Sequence, residues 1–146
     1  MLEIAVAALW RDSPTGTEVL IAKRPRTAIR GGLWELPGGK AGPGESPAEA
    51  AARELAEETG VTVAAADGVV LGRVEQHDPH LVAERSIALT LVAFQAPPGA
   101  SPQAIASDAC RWERIDRLGD HEWPAANRRL NALLAEFCAR REPARR

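Results

Sequence analysis

Apolar residues at the start of the chain follow the pattern of strands that are buried on both faces. Residues 3 to 10, EIAVAALW, are almost continuously apolar, which is typical of a strand covered by other layers on either side. Ser13 to Gly16 supplies turn residues, and a second apolar run, EVLIAK, follows at 18 to 23. The sequence therefore predicts that the chain begins with a hairpin.

Further strands are predicted on both sides of a central helical segment. The short stretch LWEL lies in a region too rich in proline and glycine for a helix, and the later stretches are long, apolar and alternating. A proline- and glycine-bearing segment precedes the last of them. The predicted strands are 33 to 36 (LWEL), 69 to 77 (VVLGRVEQH), 85 to 96 (RSIALTLVAFQA) and 110 to 115 (CRWERI), with a loop over 78 to 84.

A helix is predicted from Ser46 to Thr59 because both of its ends carry recognisable signals. Ser46 suits the N-cap, proline follows at the first helical position, and Glu49 completes a capping box. Gly60 suits a left-handed C-terminal cap. The residues expected to form a narrow apolar stripe against a sheet are Ala48, Ala51, Ala52 and Leu55.

A second amphipathic helix is predicted from Pro124 onward. Its apolar residues recur at helical spacing, and they are Leu130, Leu133, Leu134 and Phe137. Strands before one helix, further strands and then a closing helix favour the α/β class, with a central mixed β-sheet between helices in an α/β/α sandwich.

Composition narrows the class of protein without naming a function. A length of 146 residues favours a single domain over 1–146 with the last few residues frayed, and a net charge of -2 gives no bulk attraction to nucleic acid or membrane. The apolar start lacks a basic leader and is too short to span a bilayer, so we expect a cytoplasmic protein. Cys110 and Cys138 lack zinc-ligand spacing and are expected to be buried thiols.

The predicted first helix carries a concentrated acidic face. Glu54, Glu57 and Glu58 stand at i, i+3 and i+4, where like charges destabilise a helix unless a positive charge compensates them. Oxygen-only ligands favour a hard divalent cation such as Mg²⁺, with Mn²⁺ as a substitute. The alternative is an acidic surface that is merely solvated.

The spacing of these glutamates resembles the signature of the Nudix hydrolases. That signature is a glycine, five residues, a glutamate, seven residues, an arginine, a glutamate, an aliphatic residue, one residue, two glutamates, one residue, a glycine and an aliphatic residue. The matching positions are Gly39, Glu45, Arg53, Glu54, Leu55, Glu57, Glu58, Gly60 and Val61. The resemblance implies the Nudix fold and hydrolysis of a nucleoside diphosphate linked to another moiety.

The resemblance also implies roles for individual residues. The metal ligands would be Glu54, Glu57, Glu58 and the backbone carbonyl of Gly38. Glu54 would be the general base, and Glu45 and Arg53 would support the catalytic glutamates. A plain i,i+4 pair between Arg53 and Glu57 is compatible with that role.

Two other segments resemble the MutT subgroup, which hydrolyses 8-oxo-dGTP to the monophosphate and pyrophosphate. The stretch LWELPGGK matches the equivalent MutT stretch, and it makes Leu36 and Lys40 candidates for contacting substrate. Arg24 falls on the position of a nucleotide-contacting arginine. WPAANRRL places Asn127 where MutT proteins read the purine edge, which suits an amide that offers a donor beside an acceptor. The alternatives are an exposed lysine and an asparagine that merely occupies the first helical turn.

Several other polar and aromatic residues have open interpretations. MutT-like sequences often carry an acidic residue before the tryptophan equivalent to Trp112, but Arg111 stands there, and Asp108 is the nearest upstream candidate for a metal contact. Trp34 and Trp123 are candidates for stacking on the base or for core packing. His77, His80 and His121 share no spacing that indicates a metal site and are expected at loop edges, with a role in lining the pocket open for His77 or Glu75.

The sequence therefore predicts a Mg²⁺-dependent Nudix pyrophosphohydrolase that acts on a small nucleotide, with 8-oxo-dGTP as the first choice. A hydrolase of CTP, dCTP or another nucleoside diphosphate derivative is the alternative within the class. A non-catalytic nucleotide sensor is the alternative from another class, although the complete set of glutamates argues against it.

Overall fold

A computed structural model of the protein describes residues 1–29, 31–77 and 86–141. The predicted loop over 78 to 84, His80 and the predicted frayed end after Arg141 lie outside the described residues. The strands are β1 (Leu2–Ser13), β2 (Gly16–Lys23), β3 (Trp34–Glu35), β4 (Gly38–Lys40), β5 (Val69–His77), β6 (Ser86–Gln95) and β7 (Ala109–Arg114). The α-helices are α1 (Pro47–Thr59) and α2 (Ala125–Arg141), and 3₁₀ helices cover Ala65–Asp67 and Ile115–Asp120.

The described strands form one mixed sheet in the order β3-β2-β1-β6-β5, with β4 also paired to β1 and β7 to β2. β1 runs parallel to β6, whereas the other pairs are antiparallel. Ser13 pairs with Gly16 at the end of the first hairpin. The predicted hairpin is confirmed, and both of its arms extend further toward the turn than the apolar runs alone indicate.

Each face of the sheet carries its own hydrophobic core, because residues of a strand alternate between faces. Ala5, Ala7 and Leu9 of β1 pack with Leu55 of α1 on one side. Val6 and Ala8 of the same strand pack with α2 on the other side, against Leu130 and Leu134. The predicted α/β/α sandwich with a central mixed sheet is confirmed.

Helix α1 begins and ends as its sequence signals predict. The Ser46 hydroxyl accepts a hydrogen bond from the Glu49 N–H, and the Glu49 carboxylate accepts one from the Ser46 N–H. Gly60 adopts the left-handed conformation with φ 79°. Because the two caps satisfy the free backbone groups at the two ends, they fix where the helix begins and ends. The positions of the glutamates along the helix are thereby fixed as well.

The predicted apolar stripe of α1 packs against the sheet, but it omits one residue. Ala51 and Leu55 are buried, Ala48 and Ala52 pack at the margin of the same core, and Ala50 is fully buried as well. Ala50 is covered because α1 packs against both β1 and β4, so its contact face is wider than a single stripe. The glutamate one turn after Ala50 is therefore drawn against β4.

Helix α2 and the cysteines complete the packing. Leu130 and Leu134 are buried, and Leu133 and Phe137 pack at the margin of the same core, as the predicted amphipathic pattern requires. Cys138 is buried as predicted, whereas Cys110 is only half-buried because it lies on β7 at the edge of the α1-side core. Within the described ranges, no helix is both long enough and apolar enough to cross a membrane.

Candidate active site

Arg53 connects the loop before α1 to the glutamates of the helix. Its guanidinium donates two hydrogen bonds to the Glu45 carboxylate, from Nε at 2.8 Å and from Nη2 at 3.0 Å. Nη1 donates to Glu54 Oε1 at 3.0 Å and lies 3.4 Å from both Glu57 carboxylate oxygens. Nη2 also donates to the Lys40 carbonyl at 3.0 Å. Glu45, rather than the i,i+4 neighbour Glu57, is therefore the main partner of Arg53.

The paired Glu45 carboxylate is strongly held in its ionised form. Hydrogen bonds from Arg53 and from the Gly42 N–H lower the pKa of Glu45 to about 2. A two-point contact between a guanidinium and a carboxylate also fixes the geometry of both groups. Arg53 and Glu45 thereby fasten the loop to the middle of α1.

Two glycines allow this loop to approach the helix closely. A Cβ atom on Gly39 would overlap the Glu54 carboxylate, and a Cβ atom on Gly38 would overlap the Ala5 carbonyl oxygen of β1. The Gly38 N–H donates to Glu58 Oε2 at 2.9 Å. Glu54 and Glu58 are consequently held side by side against the Gly38–Gly39 peptide.

The position of Glu58 is electrostatically unfavourable for a carboxylate. Burial raises the pKa of Glu58 to about 8, the negative charges of Glu35 and Glu54 raise it too, and the Gly38 hydrogen bond opposes them. Glu58 and Glu54 also hydrogen bond to each other. This raised pKa favours the protonated form of Glu58 at neutral pH, which can donate the hydrogen bond to Glu54. Glu57 differs, since 58% of its side chain is exposed.

The donor set of this cluster fits a hard divalent cation. Carboxylates and a backbone carbonyl offer oxygen ligands only. Across the described ranges, no three acidic, histidine or cysteine side chains already surround one point as metal ligands. The contacts explain this: Arg53 hydrogen bonds to Glu54 and Glu57, while Glu58 hydrogen bonds to Glu54. A divalent cation would be held by the carboxylate oxygens of Glu54, Glu57 and Glu58, and it would neutralise their charge.

Arg24 adjoins the glutamate cluster through a partner that sequence reasoning missed. Its Nη1 donates to Glu35 Oε1 at 2.9 Å and its Nε donates to the Ile29 carbonyl at 2.8 Å. Glu35 lies opposite Ala22 in the β2–β3 pair, and its charge raises the pKa of Glu58. Only the register of β3 against β2 reveals this neighbour, and a two-residue strand gives little periodicity from which to read register.

The other predicted substrate residues are divided between the surface and the α2-side core. Lys40 is exposed, and its backbone carbonyl is bound by Arg53. Leu36 is 3% exposed and packs in the core beneath α2. The structure therefore does not gather Arg24, Leu36 and Lys40 on one open surface.

Asn127 lies in the first turn of α2, where only 8% of the residue is exposed. Its backbone N–H donates to the Pro124 carbonyl at 3.0 Å. Within residues 1–29, 31–77 and 86–141, no hydrogen bond of its side-chain amide is found. The buried side-chain polar atoms that lack a partner in the described chain are instead Asn131 Oδ1 and Arg141 Nη1, both on the same helix. Asn127 remains a candidate for reading a ligand because of its place in the first turn of α2.

The two tryptophans proposed for stacking occupy different environments. Trp123 is 4% exposed, and its indole Nε1–H donates to the Leu118 carbonyl at 2.7 Å. Its ring therefore belongs to the core. Trp34 is only partly buried, at the margin of the same core, with the Arg111 guanidinium 5.0 Å from its ring centroid. Of the two, Trp34 alone retains exposed ring surface for stacking.

The remaining polar candidates lie outside the glutamate cluster. Asp108 is exposed, and its carboxylate accepts a hydrogen bond from the Arg26 N–H at 3.3 Å, so it braces the loop that follows Arg24. Glu75 pairs with Arg73 on β5, and His77 is exposed at the end of the same strand. His121 is instead bound to Glu113 of β7.

A large groove lies away from these residues. It encloses about 1070 Å³ between the loop after α1, the end of β6 and β7. Its lining includes Arg11, Thr62, Pro97 and Trp112, with Arg11 stacked 4.1 Å from the Trp112 ring centroid. No predicted site residue of the described chain lines it. The chemistry is therefore organised by the loop and the helix rather than by this groove.

Comparison with known proteins agrees with the site. The protein-family model described as the NUDIX domain matches residues 1–134 of this chain. The chain is 40% identical over 125 residues to "Putative 8-oxo-dGTP diphosphatase 2" of Mycobacterium tuberculosis, covering 82% of this chain and 81% of that protein. It is 43% identical over 61 residues to the CTP pyrophosphohydrolase of Escherichia coli, covering 42% of each. A crystal structure of a MutT NUDIX hydrolase from Burkholderia pseudomallei superposes with TM-score 0.74 at 24% identity, covering 90% of this chain and 96% of that one.

The chain therefore belongs to the Nudix family and is a Nudix hydrolase. Proteins of this family generally use divalent metal ions and act on small nucleotide substrates. The family resemblance predicted from the spacing of the glutamates is thus confirmed, and so is the MutT-like character of the chain.

Proposed function

We propose that this Nudix hydrolase is a Mg²⁺-dependent pyrophosphohydrolase that cleaves a nucleoside triphosphate to the monophosphate and pyrophosphate, with 8-oxo-dGTP as its substrate. The observation that carries the proposal is the pair of carboxyl groups of Glu54 and Glu58, held against the Gly38–Gly39 peptide by α1. The name of the Mycobacterium tuberculosis relative supports the same substrate.

The proposed ligands of Mg²⁺ are Glu54, Glu57, Glu58 and the Gly38 carbonyl, and Mn²⁺ would occupy the same oxygen ligands. When bound, such an ion supplies neutralisation of phosphate charge and activation of a water molecule. Arg53 would have a supporting role, since its two hydrogen bonds to Glu45 do not involve the proposed ligands.

We assign the role of general base to Glu54. Its side chain is 17% exposed, so it lies at the boundary between the loop and solvent, where a proton from water can reach it. Glu58 is a weaker choice because it already carries a proton at neutral pH in the absence of an ion. Glu57 is a metal ligand in this proposal, and it adds negative charge beside Glu54 and Glu58.

The proposed nucleotide contacts combine charge with a single amide. Arg24 and Lys40 supply positive charge beside the loop, and Arg24 would exchange Glu35 for the substrate. Asn127 would read the base, because its amide presents a donor and an acceptor side by side to a purine edge. Leu36 would support the base from beneath, since its side chain belongs to the core under α2.

One observation favours a second substrate class. The E. coli relative that matches the chain over 61 residues is a CTP pyrophosphohydrolase, so CTP or dCTP is the alternative substrate. The second alternative, a non-catalytic nucleotide sensor, requires neither Glu54 nor Glu58, and the retention of both argues against it.

A panel of nucleotides with separate detection of pyrophosphate and orthophosphate tests the proposed reaction. We expect pyrophosphate and the nucleoside monophosphate as products, and we expect their release to stop when Mg²⁺ is chelated. Orthophosphate as the sole product would contradict the proposed bond cleavage. Nucleotide binding without turnover in Mg²⁺ would favour the sensor.

Glu58 makes Mg²⁺ binding dependent on pH in a defined direction. Without a bound ion, the pKa of Glu58 is raised to about 8 from an ordinary 4.5. Between these two pH values, Glu58 therefore holds a proton in the folded state that it has lost in the unfolded chain. The free energy of unfolding of the ion-free protein therefore falls as pH rises through this window. Because Mg²⁺ must displace the proton, its affinity should rise with pH by up to about tenfold per unit below pH 8.

Calorimetry in two buffers of different ionisation enthalpy measures this effect directly. We expect roughly one proton to be released per Mg²⁺ at pH 7 and almost none at pH 9.5. Glu58→Gln should abolish the release. Equal proton release by the parent and by Glu58→Gln at pH 7 would show that another group titrates.

A further inference from the structure

A cluster of charged side chains lies outside the glutamate site, beneath the segment that leads into α2. Arg111 and Glu113 of β7 stand opposite Ile21 and Val19 of β2, which belong to the α2-side core. Directly opposed residues of an antiparallel pair share a face, so both charged side chains lie on the α2 side. There Glu113 Oε2 meets His121 Nε2 at 2.6 Å.

The protons of this cluster can be assigned from its distances. Arg111 Nη2 lies 3.3 Å from Glu113 Oε2 and 3.2 Å from His121 Nε2. One ring nitrogen cannot donate to the carboxylate and accept from the guanidinium at once, so we place its proton in the shorter contact. His121 Nε2–H then donates to Glu113, and Arg111 shares that acceptor. Burial alone would raise the pKa of Glu113, but hydrogen bonds from His121 and the Arg114 N–H lower it.

The same cluster connects three separate stretches of the chain. The Trp34 N–H of β3 donates to the Glu122 carbonyl at 2.9 Å. The Trp34 ring lies 5.2 Å from the His121 ring, and the Arg111 guanidinium lies 5.0 Å from the Trp34 centroid. β3, β7 and the segment 121–124 therefore meet at His121 and Trp34. Asn127 follows this segment in the first turn of α2.

Stability alone is a poor explanation for this pair. The side chains of Glu113 and His121 are 15% and 12% exposed, so their charges are largely removed from water. Well-packed apolar residues of similar volume are often at least as stabilising as such a pair, whereas its best-attested use is to fix one register of packing. Here the register that is fixed is that of segment 121–124 against Trp34.

We propose that Glu113 and His121 are positioning residues for nucleotide selection, which hold Trp34 and the start of α2 at a fixed separation so that Asn127 can read the base. The inference rests on the proposed function, because it takes Asn127 as the residue that reads the base. Neither residue contacts the proposed metal ligands, so their effect falls on nucleotide affinity and not on the chemical step.

The test measures nucleotide affinity without requiring catalysis. Binding of 8-oxo-dGMP, dGMP and dCMP is measured by calorimetry without metal, and kcat and KM are measured with the triphosphates and Mg²⁺. Glu113→Gln should raise the dissociation constant of the preferred monophosphate, and the corresponding KM, by about tenfold, with kcat within about twofold. His121→Gln should have the same effect, and it leaves Glu113 paired with Arg111.

A matched control separates positioning from general loss of an ion pair. Glu18 accepts from Arg11 at 2.7 Å and its side chain is 17% exposed, so Glu18→Gln removes an ion pair whose carboxylate is buried to a similar extent on the same sheet. This substitution should leave the affinity of the protein for every monophosphate unchanged. Exchanging the partners, Glu113→His with His121→Glu, should recover most of the lost affinity.

The outcomes distinguish this inference from the proposed substrate. If Glu113→Gln and His121→Gln bind the monophosphates as tightly as the parent and Glu18→Gln do, the positioning role is overturned. A loss confined to kcat would overturn it as well. A parent that prefers dCMP would refute the oxidised purine instead, and the positioning role would then be judged by the affinity for dCMP in the same variants. A parent that binds none of the monophosphates would overturn both.

Discussion

Glu54→Gln should lower kcat with Mg²⁺ by roughly 10²–10⁴-fold on every nucleotide that the parent hydrolyses. The substitution keeps the size of the side chain and its place against Gly39, but it removes both a proposed ligand charge and the proposed general base. Arg53 can still donate to the amide oxygen, so the loop should stay attached to α1. Steady-state kinetics and a thermal melt of the same preparation measure the two effects.

A variant elsewhere in the sheet provides the control for Glu54. Glu18 has the same side-chain exposure as Glu54, 17%, and likewise accepts a hydrogen bond from an arginine. Glu18→Gln should therefore retain parental kcat. Undiminished turnover in Glu54→Gln would show that the chemistry belongs to other residues. No turnover in the parent either would favour the nucleotide sensor.

Asn127→Ala should reduce kcat/KM for 8-oxo-dGTP by roughly tenfold to a hundredfold, while that for CTP changes little. Two adjacent hydrogen bonds from an amide to a base edge contribute about 1–3 kcal/mol of discrimination, which sets this range. Because the amide has no partner among the described residues, its loss removes recognition without breaking an internal hydrogen bond. Competition between the two triphosphates in one reaction measures the ratio directly.

Asn131 provides a control on the next turn of α2. It is half-buried, and its Oδ1 is a buried oxygen with no hydrogen bond to the described chain. Asn131→Ala should change stability more than selectivity. Equal losses of selectivity in Asn127→Ala and Asn131→Ala would show that the helix as a whole, rather than Asn127, sets the preference.

The first helix could be predicted almost completely from the sequence because its determinants are local. Ser46, Glu49 and Gly60 fix its ends within a few residues, and 3.6-residue periodicity then places Glu54 and Glu58 relative to each other. The burial of Ala50 could not be predicted in this way, since it depends on how β4 packs against the helix.

Contacts between segments that lie far apart in the sequence could not be predicted. The bond of Arg24 to Glu35 depends on the register of a two-residue strand, and the pair of Glu113 with His121 depends on the path of a 3₁₀ helix. Neither arrangement leaves a periodic pattern. Leu36 shows the same limit, because a motif can name a residue without telling whether its side chain faces a pocket or the core.

The glutamate site illustrates how a family motif and physical geometry complement each other. The motif identifies the carboxylates, and the structure adds that Arg53 hydrogen bonds to Glu54 and that burial raises the pKa of Glu58. Both effects reduce the repulsion between the three glutamates on one side of the helix. They also predict that divalent ions compete with protons for the site.

The proposed substrate is tested most directly by the ratio of kcat/KM for 8-oxo-dGTP to that for CTP, measured with the parent protein in Mg²⁺ by pyrophosphate release. We predict a ratio well above one, with pyrophosphate as the product from both nucleotides. A ratio at or below one would contradict the assignment of an oxidised purine substrate.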